Sequence, residues 1–320
     1  MRHAGGVSHD HAHAHAVTAR TDRRWLLAAL VVIVLFMAGE VTAGVLAHSL
    51  ALITDAGHMV TDAAAIGVAV IAARIARRPA QGAYTYGFTR VDTLSGQLNG
   101  MTLLLLATWF AVLGVRRLVN PVQSVHGGVV GVVAIVGVAV NLLATWLAGR
   151  ANRSSLNVRG VLAHLLTDLW AFLATFAAGI VIVVTGWVRA DAVASLVVAA
   201  LMTWTGWRLV RAAGRVLLEA APKRVDPFRL GETMAAVDGV AQVHDLHVWQ
   251  LGSGADAVSA HVLVSPPYDC HEVSARLRTL LTDDYGIGHV TLQADHADAP
   301  AHDAGDCAEA HGEIHIADPQ

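Results

Sequence analysis

The chain has 320 residues and is unusually apolar, with 55% hydrophobic residues, only 15% charged residues and a mean hydropathy of +0.52. Soluble domains carry about 25% charged residues, so this composition excludes an ordinary soluble protein and indicates a membrane protein. The net charge of −3 gives no basis for a nucleic-acid partner, and two cysteines are too few for a disulfide framework. Such cysteine usage is typical of a chain that faces a reducing compartment.

The chain then divides into a short polar start and a long apolar region. Residues 1–24 are small and polar and include alternating histidines, which predicts a disordered N-terminal tail. The apolar segments of residues 25–215 are each near the roughly 20 residues that span a bilayer. We predict six transmembrane helices, at 25–47, 53–74, 94–115, 127–149, 160–186 and 190–211.

Arginines and lysines are concentrated in the connections on one side of these predicted helices. Because positively charged connections stay in the cytoplasm, both termini are predicted to be cytoplasmic. The pair Arg116–Arg117 falls on the other side and departs from this rule.

After Pro222 the long apolar runs stop and charged residues return. The predicted elements are two helices, at 228–237 and 269–284, and three strands, at 243–251, 257–265 and 289–295. The order αββαβ predicts a small α+β domain over residues 222–296. Residues 297–320 are rich in alanine, aspartate and histidine and are predicted to be disordered.

Two of the predicted membrane helices carry ionisable residues, which cost several kcal/mol in a bilayer unless they are paired. His58 and Asp62 stand four residues apart and share a helix face, and His164 and Asp168 repeat this spacing. Together they supply two nitrogens and two oxygens, which suits a tetrahedral divalent ion, zinc above all. A single histidine or aspartate in a membrane helix often makes an interhelical hydrogen bond, but two matching pairs favour a metal site.

Other polar residues of the predicted spans have less specific interpretations. Asp55 lies one turn before His58 and is interpreted as a helix cap, a vestibule charge or a partner that supports the metal ligands. Glu40, Asn99 and Asn141 are interpreted as packing or pathway residues rather than ligands.

Four stretches of the sequence resemble those of a known family: HSLALITDAGHMVTDA at 48–63, YTYGFTRVDTLSGQLNG at 84–100, SLNVRGVLAHLLTDL at 155–169 and VAQVHDLHVWQLGSG at 240–254. The chain resembles the cation diffusion facilitators, and among them the bacterial zinc exporters. The resemblance implies a homodimer of six-helix protomers in the inner membrane, each with a cytoplasmic, ferredoxin-like domain similar to metallochaperones. It also implies export of zinc from the cytoplasm in exchange for protons, through the quartet His58, Asp62, His164 and Asp168.

The resemblance further implies a second, regulatory zinc site in the α+β domain, where the matching residues are His244, His261 and Asp295. Gln293 stands where some relatives have a histidine. Strand alternation places His261 on the polar face of its strand, and His244 and His247 on opposite faces of theirs unless that strand begins after His244. Surface histidines that bind no metal are the alternative.

Zinc is the expected cargo because two histidines favour it, with cadmium as a second ion. Protons compete with zinc for the same lone pairs, and histidine titrates near neutral pH, which gives proton exchange a physical basis. The alternatives are a membrane-anchored zinc sensor and an intramembrane zinc hydrolase. A hydrolase needs an open coordination position and a general base, and no His-Glu-x-x-His is present. We therefore expect a transporter and not an enzyme, with zinc, protons, membrane lipid and a second copy of the chain as partners.

Overall fold

The computed structural model describes residues 31–122, 124–149, 156–252, 255–297 and 312–317, without the side chains of 66, 70, 147–149 and 156–167. The predicted N-terminal tail and the start of the first predicted span lie outside the described residues. Contacts within the chain form two compact units. One contains residues up to 66 together with 99–208, and the other contains 67–98 together with the residues from 209 onward.

Long apolar helices build the first unit and continue into the second. The helices are α1 (Val31–Leu46), α2 (Leu50–Ala76), α3 (Arg90–Val119), α4 (Gly127–Gly149), α5 (Leu156–Thr185) and α6 (Arg189–Leu217). Among the described helices, α2 to α6 are long and apolar enough to cross a bilayer, and α1 is a shorter apolar helix. Several run past the predicted spans because backbone hydrogen bonding continues beyond the apolar window.

Large apolar side chains are exposed on the outside of the first unit. Leu105, Trp109, Val132, Trp170 and Val184 each have more than half of their surface exposed. A soluble protein with such a surface would aggregate, whereas lipid tails solvate it. The unit is therefore a membrane domain, as the composition predicts.

Glycines let the helices of this unit approach closely. A Cβ added at Gly179 of α5 would lie 2.7 Å from the backbone nitrogen of Gly131 in α4. A Cβ added at Gly206 of α6 would lie 2.9 Å from the carbonyl oxygen of Gly100 in α3. Close packing of small residues is a main attraction between helices in lipid. It holds α5 against α4 and so fixes the backbone that carries Asp168.

The second unit contains an α+β domain. Its elements are α7 (Pro227–Ala235), β1 (Val240–Gly252), β2 (Ala255–Val264), α8 (Cys270–Asp283), β3 (His289–His296) and β4 (His315–Ile316). The sheet order is β3-β2-β1-β4, with β1 antiparallel to β2 and β2 parallel to β3. The order αββαβ of its first five elements agrees with the prediction.

Both helices of this domain begin at an aspartate cap. Asp226 accepts a hydrogen bond from the backbone N–H of Phe228, and Asp269 accepts from the backbone N–H groups of Glu272 and His271. The hydrogen bonds from Glu272 and His271 hold the pKa of the exposed Asp269 carboxyl below its usual range.

The core of the α+β domain lies between the helices and one face of the sheet. Leu230 and Met234 of α7 and Leu277 and Leu281 of α8 are fully buried, each pair one turn apart as an amphipathic helix requires. Alternate residues of β2 from 260 to 264 face this core. The other face of the sheet is left for polar side chains.

The prediction that residues 297–320 are disordered does not hold for one short stretch. In β4, His315 and Ile316 pair antiparallel with Val243 and Gln242 of β1. The His315 ring is buried and its centroid lies 5.3 Å from that of Phe228. Two residues have no periodicity that sequence analysis can detect, so only the free edge of β1 identifies this strand. Residues 298–311 and 318–320 lie outside the described residues.

We expect Gly231→Ala to release β4 from the sheet while the domain stays folded. A Cβ at this position would lie 2.2 Å from the His315 ring, so the ring has to leave its place. Limited proteolysis should then cut the C-terminal segment faster than in the wild type, at an unchanged unfolding temperature. Gly288→Ala is the control because a Cβ there has no neighbour within 4 Å. Equal cleavage rates in both variants would mean that His315 does not anchor β4.

Candidate metal sites

His58 of α2 is the centre of a buried cluster of one imidazole and two carboxylates. The residue is 3% exposed, and its Nδ1 lies 3.3 Å from Oδ2 of Asp62, one turn further along α2. Its Nε2 lies 3.6 Å from Oδ1 of Asp168 in α5. Three of the four residues of the predicted quartet therefore come together from two helices. His164 stands one turn before Asp168 in α5, and its side chain lies outside the described part of the chain.

The cluster has the donor types of a divalent metal site, but its groups are turned toward one another. Each nitrogen of the His58 ring lies near a carboxylate oxygen. Within the described side chains, no three His, Cys, Asp or Glu residues form a preassembled metal-binding group. An ion entering here would replace the histidine–carboxylate contacts, and a proton on the imidazole would strengthen them.

Asp55 is not a helix cap, so that interpretation is wrong. It lies inside α2, five residues after Leu50, and is 2% exposed. A cap has to stand at the first turn, where backbone N–H groups lack partners within the helix. Two of those N–H groups of α2 donate to a residue of another helix, and the N–H of Leu52 donates to the hydroxyl of Ser49.

Asp191, near the start of α6, caps α2 across the bundle. Its carboxylate accepts hydrogen bonds from the backbone N–H of Leu50 at 2.7 Å and of Ala51 at 3.3 Å, and from the hydroxyl of Ser49. A negative charge is favourable at a helix N-terminus. Sequence reasoning missed this residue because the N–H groups it accepts from lie about 140 positions away. Its one signal is an acidic residue inside an apolar segment.

Arg117 lies on the side of the membrane helices that carries few positive charges, and it is bound to this cap. Its guanidinium donates to the carbonyl oxygen of His48 at 2.7 Å and lies 3.4 Å from Oδ2 of Asp191. Further along the two helices, the hydroxyl oxygens of Thr54 and Ser195 are 2.7 Å apart. These contacts tie α2 to α6 and to the end of α3, and they position the helix that carries His58.

A β-bulge in β1 changes the prediction for the α+β domain. His244 pairs with His261 of β2, but His247 pairs with Ser259, so two residues of β1 stand opposite one residue of β2. Asp245, at the bulge, has a φ of +52°, which aspartate tolerates better than most residues. The extra residue brings His247 to the same face as His244. The prediction that the two lie on opposite faces is wrong because it assumed a regular strand.

The histidines form a cluster on the sheet face that points away from α7 and α8. The ring centroids of His244 and His261 are 5.3 Å apart. The Asp245 carboxylate joins the group, with Oδ1 2.8 Å from Nε2 of His247 and Oδ2 3.9 Å from Nε2 of His261. Burial lowers the pKa of His244, and the neighbouring His261 adds to this. Asp245 is a candidate that sequence reasoning missed, since only the bulge directs it here.

Asp295 lies on the same face of the sheet as these imidazoles. Strand β3 runs parallel to β2, with Gln293 beside His261 and Asp295 two residues on. The amide of Gln293 donates a hydrogen bond to Oδ2 of Asp295 at 3.0 Å. The three residues named by the resemblance therefore lie on one face, and Gln293 occupies the place beside Asp295.

Comparison with known proteins gives matches along most of the chain. Residues 26–218 match the cation efflux transmembrane domain, and residues 225–297 match the cytoplasmic domain of cation efflux proteins. The chain is 33% identical over 295 residues to a cadmium, cobalt and zinc/H(+)-K(+) antiporter of Bacillus velezensis, covering 91% of this chain and 93% of that protein. It is 35% identical over 291 residues to the zinc transporter ZitB of Escherichia coli, covering 90% and 92%.

A further relative and one solved structure come from the same bacterium, Cupriavidus metallidurans. The metal cation efflux system protein CzcD is 34% identical over 306 residues, covering 93% of this chain and 94% of that protein. The metal-bound C-terminal domain of the CzcD transporter is 35% identical, covers 22% of this chain and 99% of that domain, and has a TM-score of 0.22.

Proposed function

The chain belongs to the cation efflux family of membrane transporters, and we propose that it exports zinc from the cytoplasm in exchange for protons. One observation carries this proposal. A buried imidazole, His58, lies between two carboxylates that come from two membrane helices. Relatives whose names state transport of zinc, cadmium and cobalt with H(+) and K(+) exchange support the same ions here, with zinc first and cadmium second.

We assign zinc transport to His58, Asp62, His164 and Asp168. The contacts of His58 with Asp62 and Asp168 support these three residues. The assignment of His164 rests on the repeated spacing and on its place one turn before Asp168. Two neutral imidazoles and two carboxylates would leave a bound zinc ion without net charge, which keeps the cost of burial in lipid low.

Protons and zinc are alternative occupants of this site. A zinc ligand has to be deprotonated, so zinc binding expels protons and protonation expels zinc. A protonated His58 would lie between two carboxylates and form ion pairs with both. The site is thus stable in either form, as an antiporter requires.

We place both termini in the cytoplasm and the protein in a bacterial inner membrane. The excess of arginine and lysine in the connections on one side supports this orientation. Arg117 lies on the opposite side, but its charge is paired with that of Asp191 and does not weigh against this orientation. The match to the family's cytoplasmic domain supports a homodimer, which the molecular mass of the purified protein in solution tests.

We propose that the α+β domain binds regulatory zinc through His244, His261 and Asp295, with Asp245 as an additional ligand. In the full-length protein, His244→Ala/His261→Ala should bind less zinc than the wild type and keep the zinc of the transport site. Equilibrium dialysis measures the bound zinc. His271→Ala is the matched control, because this histidine is 98% exposed and lies in α8, away from the cluster. Equal zinc content in the double variant and the control would contradict the site.

The decisive experiment is zinc uptake into sealed proteoliposomes under an imposed pH gradient. We expect uptake that depends on the gradient and reverses with its sign. Uptake that ignores the gradient would remove the proton exchange. A folded, zinc-binding protein that moves no zinc would favour the membrane-anchored sensor instead.

A further inference from the structure

The membrane unit holds a second group of buried polar side chains, which begins one helical turn from His58. Glu40 of α1 is 1% exposed and Asp55 of α2 is 2% exposed, and their carboxyl groups are in hydrogen-bonding contact with each other. Thr175 of α5 is 1% exposed. Apart from the contact between the two carboxyl groups, neither oxygen of Glu40, nor Oδ2 of Asp55, nor the hydroxyl of Thr175 makes a hydrogen bond to a described group. Buried polar atoms left in this way are rare and point to a ligand or water.

Glu40 and Asp55 lie at the same height in the bundle. Helices α1 and α2 are joined by a tight turn at His48, which Glu40 precedes by eight residues and Asp55 follows by seven. At 1.5 Å per residue, both lie about 11 Å from that turn. Asp55 also lies one helical turn from His58, on the side nearer to the connection between α1 and α2.

Helix α5 brings Thr175 to this height. The C-terminal part of α5 packs at the α1–α2 turn, where Ala47 and Ile182 share one apolar cluster. Lower in the bundle, the ring centroids of Phe36 and Phe172 are 5.6 Å apart. Glu40 is one turn above Phe36, and Thr175 is one turn above Phe172.

The hydroxyl of Thr175 makes no hydrogen bond within the described residues, unlike the hydroxyls of four other threonines in the membrane helices. Thr54, Thr61, Thr145 and Thr203 each donate to the carbonyl oxygen four residues earlier in their helix. A threonine in a membrane helix satisfies its hydroxyl by this bond. Thr175 does not do so within the described residues, so its oxygen is available to a ligand.

Two buried carboxyl groups would cost several kcal/mol in a bilayer if both were ionised, and a divalent cation that displaces their protons removes that cost. Oxygen ligands are harder than imidazole and bind zinc less selectively. Such a site suits transient binding of the ion during transport rather than stable binding. We propose that Glu40 and Asp55, with Thr175, form a second divalent cation site that takes zinc from the transport site toward the α1–α2 turn. This rests on the proposed function for its cargo and direction, and it gives Glu40 a ligand role in place of packing.

The test counts zinc in purified full-length protein by equilibrium dialysis and measures uptake by vesicles. Glu40→Gln/Asp55→Asn should bind one zinc ion fewer than the wild type and take up zinc at least about tenfold more slowly. The same loss of one ion should appear in a His58→Ala/Asp168→Ala background, which shows that the missing ion is not that of the transport site. Thr175→Val should weaken the binding of this ion, whereas Thr203→Val, whose hydroxyl is already bonded, should not.

The outcomes separate this site from the proposed function. A full zinc count with normal uptake in Glu40→Gln/Asp55→Asn would overturn the site and leave a structural pair of carboxyl groups. A wild type that moves no zinc, with one ion still missing in the double variant, would support the site and overturn the transport function. Gel filtration checks folding. If the double variant does not fold, Thr175→Val decides, because it adds no buried charge or amide: unchanged zinc binding in it would overturn the site.

Discussion

Asp168→Asn is expected to abolish zinc uptake driven by a pH gradient while leaving a folded protein. Asparagine keeps the size of the side chain, but the site loses one of its two carboxylates. A zinc ion bound there would carry net positive charge in the bilayer, which costs several kcal/mol. Since each 1.4 kcal/mol is a factor of ten, uptake should fall by at least about a hundredfold. Initial rates in sealed proteoliposomes measure it.

The control for Asp168→Asn is Glu219→Gln, which makes the same kind of change at an exposed acid. Glu219 pairs with Arg90 at 2.7 Å and lies outside the site. The Glu219→Gln variant should transport zinc at the wild-type rate. Normal uptake by Asp168→Asn would contradict the transport site itself. Loss of uptake together with an aggregated protein would instead show that Asp168 is needed for folding, and gel filtration distinguishes the two.

Arg117→Ala is expected to lower both the unfolding temperature and the uptake rate. The change leaves the Asp191 carboxylate, 1% exposed, without its charged partner. Removal of one partner of a buried ion pair costs about 3–5 kcal/mol, and the lower end applies because Arg117 is partly exposed. The cap on α2 loosens, so the backbone that carries His58 loses its position. Thermal unfolding in detergent and vesicle uptake measure the two effects.

Arg116→Ala is the matched control because the neighbouring arginine is exposed. It should unfold at the wild-type temperature. Arg117→Ala/Asp191→Asn should recover part of the lost stability, because it removes the uncompensated charge and keeps an oxygen for the N–H groups of Leu50 and Ala51. Equal unfolding temperatures in the two arginine variants would show that Asp191 does not depend on Arg117.

Local patterns were enough to predict much of this protein. Runs of apolar residues near the thickness of a bilayer identify the membrane helices, because lipid requires such runs to be helical. Alternation and amphipathic spacing identify the αββαβ order. The spacing of four between His58 and Asp62, and between His164 and Asp168, predicts that each pair shares a helix face. All of these features depend on residues that are close in sequence.

Local sequence patterns are therefore enough to predict the fold class and to nominate the transport quartet, whereas the packing of the helices and strands establishes which distant groups meet. Asp191 caps α2 from another helix, and Arg117 is explained by that contact. The bulge at Asp245 reverses the face of His247, and β4 exists only because β1 has a free edge. These contacts join residues far apart along the chain, and no local period records them. Their free energy comes from charges and hydrogen bonds that are satisfied only once the helices and strands have packed.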